Sequence, residues 1–328
     1  MRRREFITLI GGAAAWPLAA RAQQRERMRR IGVLSSLVAD DPESQARHAA
    51  FLQGLQEWGW TSGRNVQIDY RWAAGDADRI RKYAAELVAL APDVILATGS
   101  PVTAALLQTT RGVPIVFAMV PDPVANGFVA SLAKPGGNAT GFTTFDYATS
   151  VKWLELLKEI APHVKQVMVL RDPTIASGIG QLAAILGVAS AFGVELRPVG
   201  VRDAGEIERA VTAFAREPNG GLIVLASPLS IVQRELIITL AARHRLPAVY
   251  SLRFFVTSGG LISYGPDTIE PYRLAASYVD RILKGEKPAE LPVQTPTKYD
   301  LVLNVKTAKA LNLEIPPTLL ARADEVIE

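Results

Sequence analysis

The chain has 328 residues, 49% hydrophobic and 21% charged, with a formal net charge of +4 and no cysteine. This composition is globular rather than disordered, and the length exceeds one small core and fits two domains of ordinary size. Without thiols the chain has no disulfide, thiolate metal site, iron–sulfur cluster or thioether-linked haem.

The chain opens with Arg2-Arg3-Arg4-Glu5-Phe6-Ile7, runs through a modestly apolar stretch from Thr8 to Ala20, and reaches Ala20-Arg21-Ala22. A charged start, an apolar middle and a small-x-small end make the layout of a secretory signal peptide, expected to be cleaved after residue 22. The Arg3-Arg4-x-Phe-Ile core is similar to a twin-arginine export signal. The apolar run is shorter than the ~20 residues of a membrane span, and it contains Gly11, Gly12 and Pro17. Residues 1–22 carry four arginines and one glutamate, so their removal lowers the formal charge from +4 to +1. A nucleic-acid partner needs a clustered basic face, and none is expected from so balanced a chain. Arg25 to Arg30 reads as a solvated tail. With no cysteine to carry a lipid, the expectation is a periplasmic monomer without a direct membrane anchor.

The following residues alternate short β-rich runs with helical patterns, the signature of parallel sheets covered by helices. Strands are predicted at 30–34, 65–70, 93–97 and 115–117. Asp41-Pro42 reads as a helix N-cap and first residue, with Phe51, Leu55 and Trp58 on one face and Gly59 as the stop. A second set of strands follows at 166–170, 194–196, 222–225 and 248–250. Trp153, Leu157 and Ile160 form a stripe, and Asp203 with Glu206 forms a capping box ahead of Ile207, Val211 and Phe214. The two sets match in detail: Leu96–Pro101 corresponds to Leu225–Pro228, and Arg111–Phe117 to Arg245–Tyr250. Two similar α/β lobes are therefore expected, with a small-molecule site in the cleft between the carboxyl ends of their strands.

Crossovers between lobes are expected at Lys134–Gly141, near Gly259-Gly260, and in the Pro-rich stretch 288–296. A strand at 261–264, a helix over 269–283 ended by Gly285, a strand at 301–305 and a helix over 307–311 complete the chain. The predicted organisation is 29–138 plus 262–290 for lobe 1 and 139–261 plus 291–328 for lobe 2, with three hinge crossovers.

Short polar residues just after strands are the candidate ligand contacts: Ser35 and Ser36, then Thr98, Gly99 and Ser100, with Ser227 on the facing lobe. Free backbone N–H groups at such helix starts suit a carboxylate; ordinary capping is the alternative reading. Asp122, Asp172 and Asp267 either neutralise a ligand ammonium or serve turns. Tyr250 and Tyr264, beside Phe254 and Phe255, supply either an aromatic wall or core packing. Arg253 either pairs with a carboxylate or lies on the surface. His48, His163 and His244 show no ligand spacing, and the chain contains no Gly-x-Ser-x-Gly elbow, phosphate loop or His-Glu-x-x-His. Gly178–Ala183 is similar to a dinucleotide fingerprint but stands too far from its strand. No cofactor, metal or catalytic set is expected.

Several motifs then carry a resemblance: Pro135–Gly141 (Pro-Gly-Gly-Asn-Ala-Thr-Gly), Tyr264-Gly265-Pro266-Asp267, Arg281–Gly285, Leu291-Pro292-Val293-Gln294 and Pro316–Ala321. Together with the export signal, they resemble the ABC-transporter substrate-binding family of the tryptophan/tyrosine type, over essentially the whole chain after residue 22. The resemblance implies a type I periplasmic-binding-protein fold, two Rossmann-like lobes closing on a ligand, and a membrane ABC permease as partner. It also places Ser35, Thr98, Gly99, Ser100, Asp122, Tyr250, Tyr264 and Asp267 where such ligands are held. Two positions depart from relatives: Arg171-Asp172-Pro173 stands where many have Asn-Pro, and Ser227 where many have an acid. The function so implied is a periplasmic receptor delivering an amino acid or small carboxylate to an importer. A sensory ligand-binding module and a periplasmic enzyme are the rival readings.

Overall fold

The computed structural model describes residues 28–145, 147–175 and 177–328; the expected export segment, 1–22, lies outside them. Two sheets organise these residues, one five-stranded and one seven-stranded.

The first sheet is wholly parallel, in the order β2-β1-β3-β4-β5. Its strands are β1 (Arg29–Ser35), β2 (Val66–Trp72), β3 (Val94–Thr98), β4 (Ile115–Ala118) and β5 (Ala139–Gly141). Burial of both faces follows directly from sequence, because strand residues alternate sides. Val94 and Leu96 join the core on one face while Ile95 and Ala97 join the core on the other. Helices α2 (Ala77–Ala89) and α3 (Ser100–Thr109) cover the second face. Helix α1 (Pro42–Glu57) covers the first, starting at Asp41, whose carboxylate accepts the amides of Glu43 and Ser44. Phe51 and Leu55 are buried on α1, whereas Trp58, expected on the same stripe, lies past its end and is half exposed beneath Lys284.

The second sheet runs β12-β11-β10-β9-β8-β6-β7. It comprises β6 (Gln166–Arg171), β7 (Glu195–Gly200), β8 (Gly220–Val224), β9 (Ala248–Tyr250), β10 (Ile262–Pro266), β11 (Tyr299–Asn304) and β12 (Glu325–Ile327). Only the β10–β11 pairing is antiparallel. Its helices are α4 (Thr149–Ile160), α5 (Ser177–Val188), α6 (Ala204–Phe214), α7 (Pro228–Val232), α8 (Arg234–Arg243), α9 (Arg253–Thr257), α11 (Val305–Ala310) and α12 (Pro317–Arg322). Trp153, fully buried on α4, anchors this core and donates its indole N–H to the Tyr264 carbonyl at 2.7 Å. Asp203 caps α6 by accepting the Glu206 amide, and Glu206 reaches back to the Arg202 amide.

Between β10 and β11 the chain returns to the first lobe as α10 (Glu270–Leu283), whose Tyr272, Ala276, Val279 and Leu283 fill the core under α1. The strand pairing corrects the expected lobe limits at two places. Residues 139–141 pair with β4 and extend the first sheet, so the chain leaves it at Phe142 rather than before Ala139. Residues 262–266 pair with β9 and β11, so the second crossing lies at 267–269 rather than at Gly259-Gly260. The third crossing, after Leu291, pairs with the first: Thr143 donates to the Gln294 carbonyl and Gln294 to the Gly141 carbonyl, each at 2.9 Å. The molecule therefore has two Rossmann-like lobes and three crossovers, the type I periplasmic-binding-protein architecture.

Gly141 is the last residue, and Gly265 the last but one, of the strands that feed the first two crossings. A Cβ at Gly141 would lie 1.9 Å from the Phe117 carbonyl oxygen, and one at Gly265 1.9 Å from that of Ser251. Gly141→Ala is expected to lower the melting temperature by about 5 °C or more, since backbone cannot yield as a side chain does. Gly112→Ala, with nothing within 4 Å of its Cβ position, should leave it unchanged in the same calorimetric scan.

Candidate ligand-binding site

In parallel sheets the carboxyl ends of the strands carry the loops and the helix starts, and here those ends of both lobes face one another. Between them lies a cavity of about 60 Å³. Lobe 1 contributes Ser36 and Leu37 after β1, Arg47 from α1, Thr98–Pro101 at the start of α3, and Met119 and Pro121 after β4; the facing wall is Thr144, Phe145, Ile175, Ala226–Pro228, Ile231 and Leu252. Most of this surface is apolar, with a few polar groups set into it, the usual make-up of a small-molecule site.

Three of those polar groups are buried without a protein partner: Ser100 Oγ, Thr144 Oγ1 and Arg47 Nη2. Buried polar atoms are normally paired; of the unpaired ones among the described residues, these three belong to residues that line the cavity, where a polar solute could pair with them. The Arg47 guanidinium is held by Glu43, Nε to Oε1 at 3.0 Å, and lies over the Tyr272 ring at 5.6 Å and the Phe254 ring at 6.0 Å. Tyr272 in turn donates its hydroxyl to Thr98 Oγ1 at 3.2 Å. Gly99 precedes α3 at φ 82°, a conformation open to glycine, and gives that helix no side-chain cap. Ser227 instead caps α7 in a reciprocal capping box with Ser230.

The cavity brings together Ser36, Thr98, Gly99, Ser100 and Ser227 among the residues singled out from sequence. Ser35 stands behind it in a smaller recess, its hydroxyl accepting the Leu37 amide at 3.1 Å. The others face elsewhere, for identifiable reasons. Asp122 (φ 42°) lines a separate hinge crevice of about 440 Å³ and accepts the Ala125 amide. Burial and the Asp122 hydrogen bond push the Tyr147 hydroxyl up to about 12 there. Asp172 closes a turn by accepting both the amide and the hydroxyl of Thr174, and Asp267 starts α10 by accepting the Ile269 and Glu270 amides. Tyr250 is a core residue at 1% exposure, stacked on Phe255 at 4.9 Å, and burial raises its pKa. Tyr264 stacks on Tyr299 at 5.8 Å. Arg253 lies on the surface, paired twice with Glu325 at 2.7 and 2.8 Å.

Sequence reasoning passed over Arg47, Leu37, Thr144 and Phe145. Arg47 carried a signal: it stands four residues before Phe51, on the apolar stripe of α1, where a surface charge does not belong. Thr144 and Phe145 lie in the first crossover, and no periodicity marks them.

The lobes are drawn together around this cavity. Leu37, from lobe 1, is buried in the lobe 2 core. Arg234 of α8 pairs with Asp41 at 2.5 Å, and Thr268 donates its hydroxyl to Glu43. Phe145 lines both the cavity and the hinge crevice. A cavity of roughly 150 Å³ accommodates benzene, so an aromatic ring needs either wider lobes or a turned Phe145. Burial lowers the His48 pKa, and no group of three metal-ligating side chains occurs among the described residues.

Two lobes, three crossovers and an apolar interlobe cavity with orphaned donors define a two-lobed solute-binding protein. Residues 31–327 match the family described as ABC transporter substrate binding protein, and the chain belongs to that family. A tyrosine-binding protein of Clostridioides difficile (strain R20291) is 27% identical over 295 residues, which cover 88% of this chain and 82% of that protein. An ABC domain from Streptococcus pneumonia, solved in complex with L-Trp, is 26% identical with a TM-score of 0.84, covering 91% of this chain and 99% of that one. The ligand-free, open structure of a substrate binding protein with adhesive properties from Clostridium difficile is also 26% identical over 91% of this chain and 99% of that one, but with a TM-score of 0.66. At equal identity and coverage, the better match to the ligand-bound relative accords with the interlobe contacts described above.

Ser100→Ala and Thr144→Val each remove a buried hydroxyl that no protein group satisfies. Each should weaken the solute that the wild-type protein binds by about tenfold, with the melting temperature of the ligand-free protein unchanged or raised. Calorimetric titration and thermal unfolding together check both halves.

Proposed function

We propose that the protein is a periplasmic receptor that closes around an amino acid or small carboxylate and delivers it to an ABC importer. The observation that carries this reading is the convergence of three orphaned buried donors on a cavity walled by both lobes of a hinged molecule. A solute that touches both walls stabilises the closed form through contacts the open form cannot make. The tyrosine and tryptophan named for its relatives make aromatic amino acids part of the solute set to test. Among the described residues no helix is long and apolar enough to cross a membrane, and export is assigned to residues 1–22. Replacing Arg3 and Arg4 together with lysine should then abolish export through the twin-arginine route, read by fractionating cells that express the tagged chain.

The receptor reading is tested by a thermal-shift panel of L-tryptophan, L-tyrosine, other amino acids and small carboxylates on the purified protein. A rise in melting temperature with one chemical class, and loss of uptake of that class on gene deletion, are the expected results. A panel without any shift, and a preparation from which no solute can be extracted, would remove the reading. Asp41→Asn keeps an N-cap residue but removes the carboxylate that Arg234 meets across the lobes, leaving it only Glu235 on its own helix. It should enlarge the radius of gyration in solution scattering and weaken solute binding by roughly tenfold.

A further inference from the structure

The interlobe cavity, of about 60 Å³, and the hinge crevice, of about 440 Å³, lie on two sides of one wall. Two short segments divide their residues between the two spaces. Pro121 lines the cavity and Asp122 the crevice; Thr144 lines the cavity and Thr143 the crevice. Phe145 lines both, and it alone does so among the described residues. The backbone of this wall is pinned, with Phe142 donating to the Phe117 carbonyl at 2.8 Å and Thr143 to the Gln294 carbonyl at 2.9 Å. What closes the remaining gap is a side chain, the Phe145 ring. At 5% exposure it leans edge-on against Trp153 at 5.7 Å, and the Trp153 indole is itself tied to the Tyr264 carbonyl. The ring is thus a stop with a fixed backing and an open space behind it.

The cavity side of the wall suits a compact solute. Ser100, Thr144 and Arg47 offer their unpaired polar atoms there. The volume left for a carbon chain is well short of the roughly 150 Å³ that accommodates benzene. The crevice is a space of another kind, with Pro123, Val124, Leu132, Tyr147, Pro296 and Tyr299 as walls for an alkyl chain or a ring. The cavity also meets a space of about 390 Å³, at Ser100, Pro101 and Ile175. Two of those three residues open the first turn of α3, and a helix backbone does not yield as a side chain does. A chain growing from a head group held by Ser100, Thr144 and Arg47 therefore meets Phe145 as the barrier that truncation of one side chain removes.

We infer that the Phe145 ring sets the upper size of the solute, and that the hinge crevice receives the chain of a longer solute when that ring is shortened. The inference rests on the receptor reading and adds a specificity-determining residue to it. Two pairs with a common head group test it, propanoate with hexanoate and L-alanine with L-norleucine, each titrated calorimetrically into the purified chain and its variants. In the wild type the shorter member of any pair that binds is expected to be the tighter. Phe145→Leu should move the long-to-short affinity ratio about tenfold or more toward the longer member, and Phe145→Trp should move it the other way. Opposite shifts are not what loss of core packing alone produces, and thermal unfolding of each variant reads that loss separately. Phe145→Leu keeps an apolar side chain and carries the test by itself where the larger indole does not fit. Adding Val124→Trp, at an exposed position that lines the crevice, to Phe145→Leu should take back the gain of the longer member and leave the shorter unchanged. A wild type that prefers the longer member, a ratio that Phe145→Leu leaves unchanged, or a gain that survives Val124→Trp overturns the inference and leaves the receptor reading standing. If neither pair binds any of the chains, the inference falls, and the thermal-shift panel decides whether the receptor reading falls with it.

Discussion

The docking of α10 onto α1 is the contact on which the rest of the molecule depends. Its residues follow a strand of the second sheet, yet Tyr272, Ala275, Ala276, Val279 and Leu283 bury themselves in the core of the first. The indole of Trp60 donates to Asp280 at 2.9 Å and fixes the register of the pair. Lobe 1 is therefore incomplete until the chain has built most of lobe 2. The crossings that begin at Phe142, at 267–269 and after Leu291 are the geometric result: a helix that belongs to one core but is made after the other forces the chain out and back. The site inherits this arrangement, because Tyr272 is both the base on which Arg47 lies and the donor that fixes the Thr98 hydroxyl.

The division between donors and walls follows from the same topology. Parallel strands end where helices begin, so the cleft is lined by helix starts and the residues just before them. Some helix starts here are capped by the side chain of the residue before them, as Asp41, Asp203 and Ser227 show, and others, those of α4, α8, α9 and α12 among them, are not. The start of α3 is an uncapped one that lies on the cavity, with a glycine at the cap, a proline in the first turn and a serine hydroxyl left over. In a buried setting that omission is costly unless something else completes it, which is what makes a small difference between two similar lobes informative about chemistry.

Much of this is legible in the amino-acid sequence. The strands of both lobes read out because buried parallel strands leave short apolar runs between breakers. Asp41-Pro42 and Asp203–Glu206 read out because caps are local. The two lobe limits that moved did so because β5 is only three residues long, in a stretch full of turn-forming residues, and because β10 owes its place to a partner about forty residues later. Tyr250 and Arg253 were ambiguous from sequence for the same reason. Whether a tyrosine after a strand faces the cleft or the core depends on Phe255 and Gly260 packed against it, and Arg253 finds Glu325 across 72 residues. Arg47 is the instructive miss. Glu43 and Arg47 at i, i+4 resemble an ordinary surface pair, and only the position of Arg47 on the Phe51 stripe distinguishes it.

Leu37 has a thermodynamic meaning apart from the site it borders. It leaves the first strand of lobe 1, yet at 1% exposure it lies among the side chains of the lobe 2 core. Separating the lobes returns that leucine to water, at a cost of about 1.5–3 kcal/mol. The closed form thus carries part of its own driving force, and that force is hydration of apolar surface. Closure then has a negative heat-capacity change, and its apolar component weakens on cooling. In the cold the resting molecule shifts toward the open form, and the solute must supply more of the closing free energy.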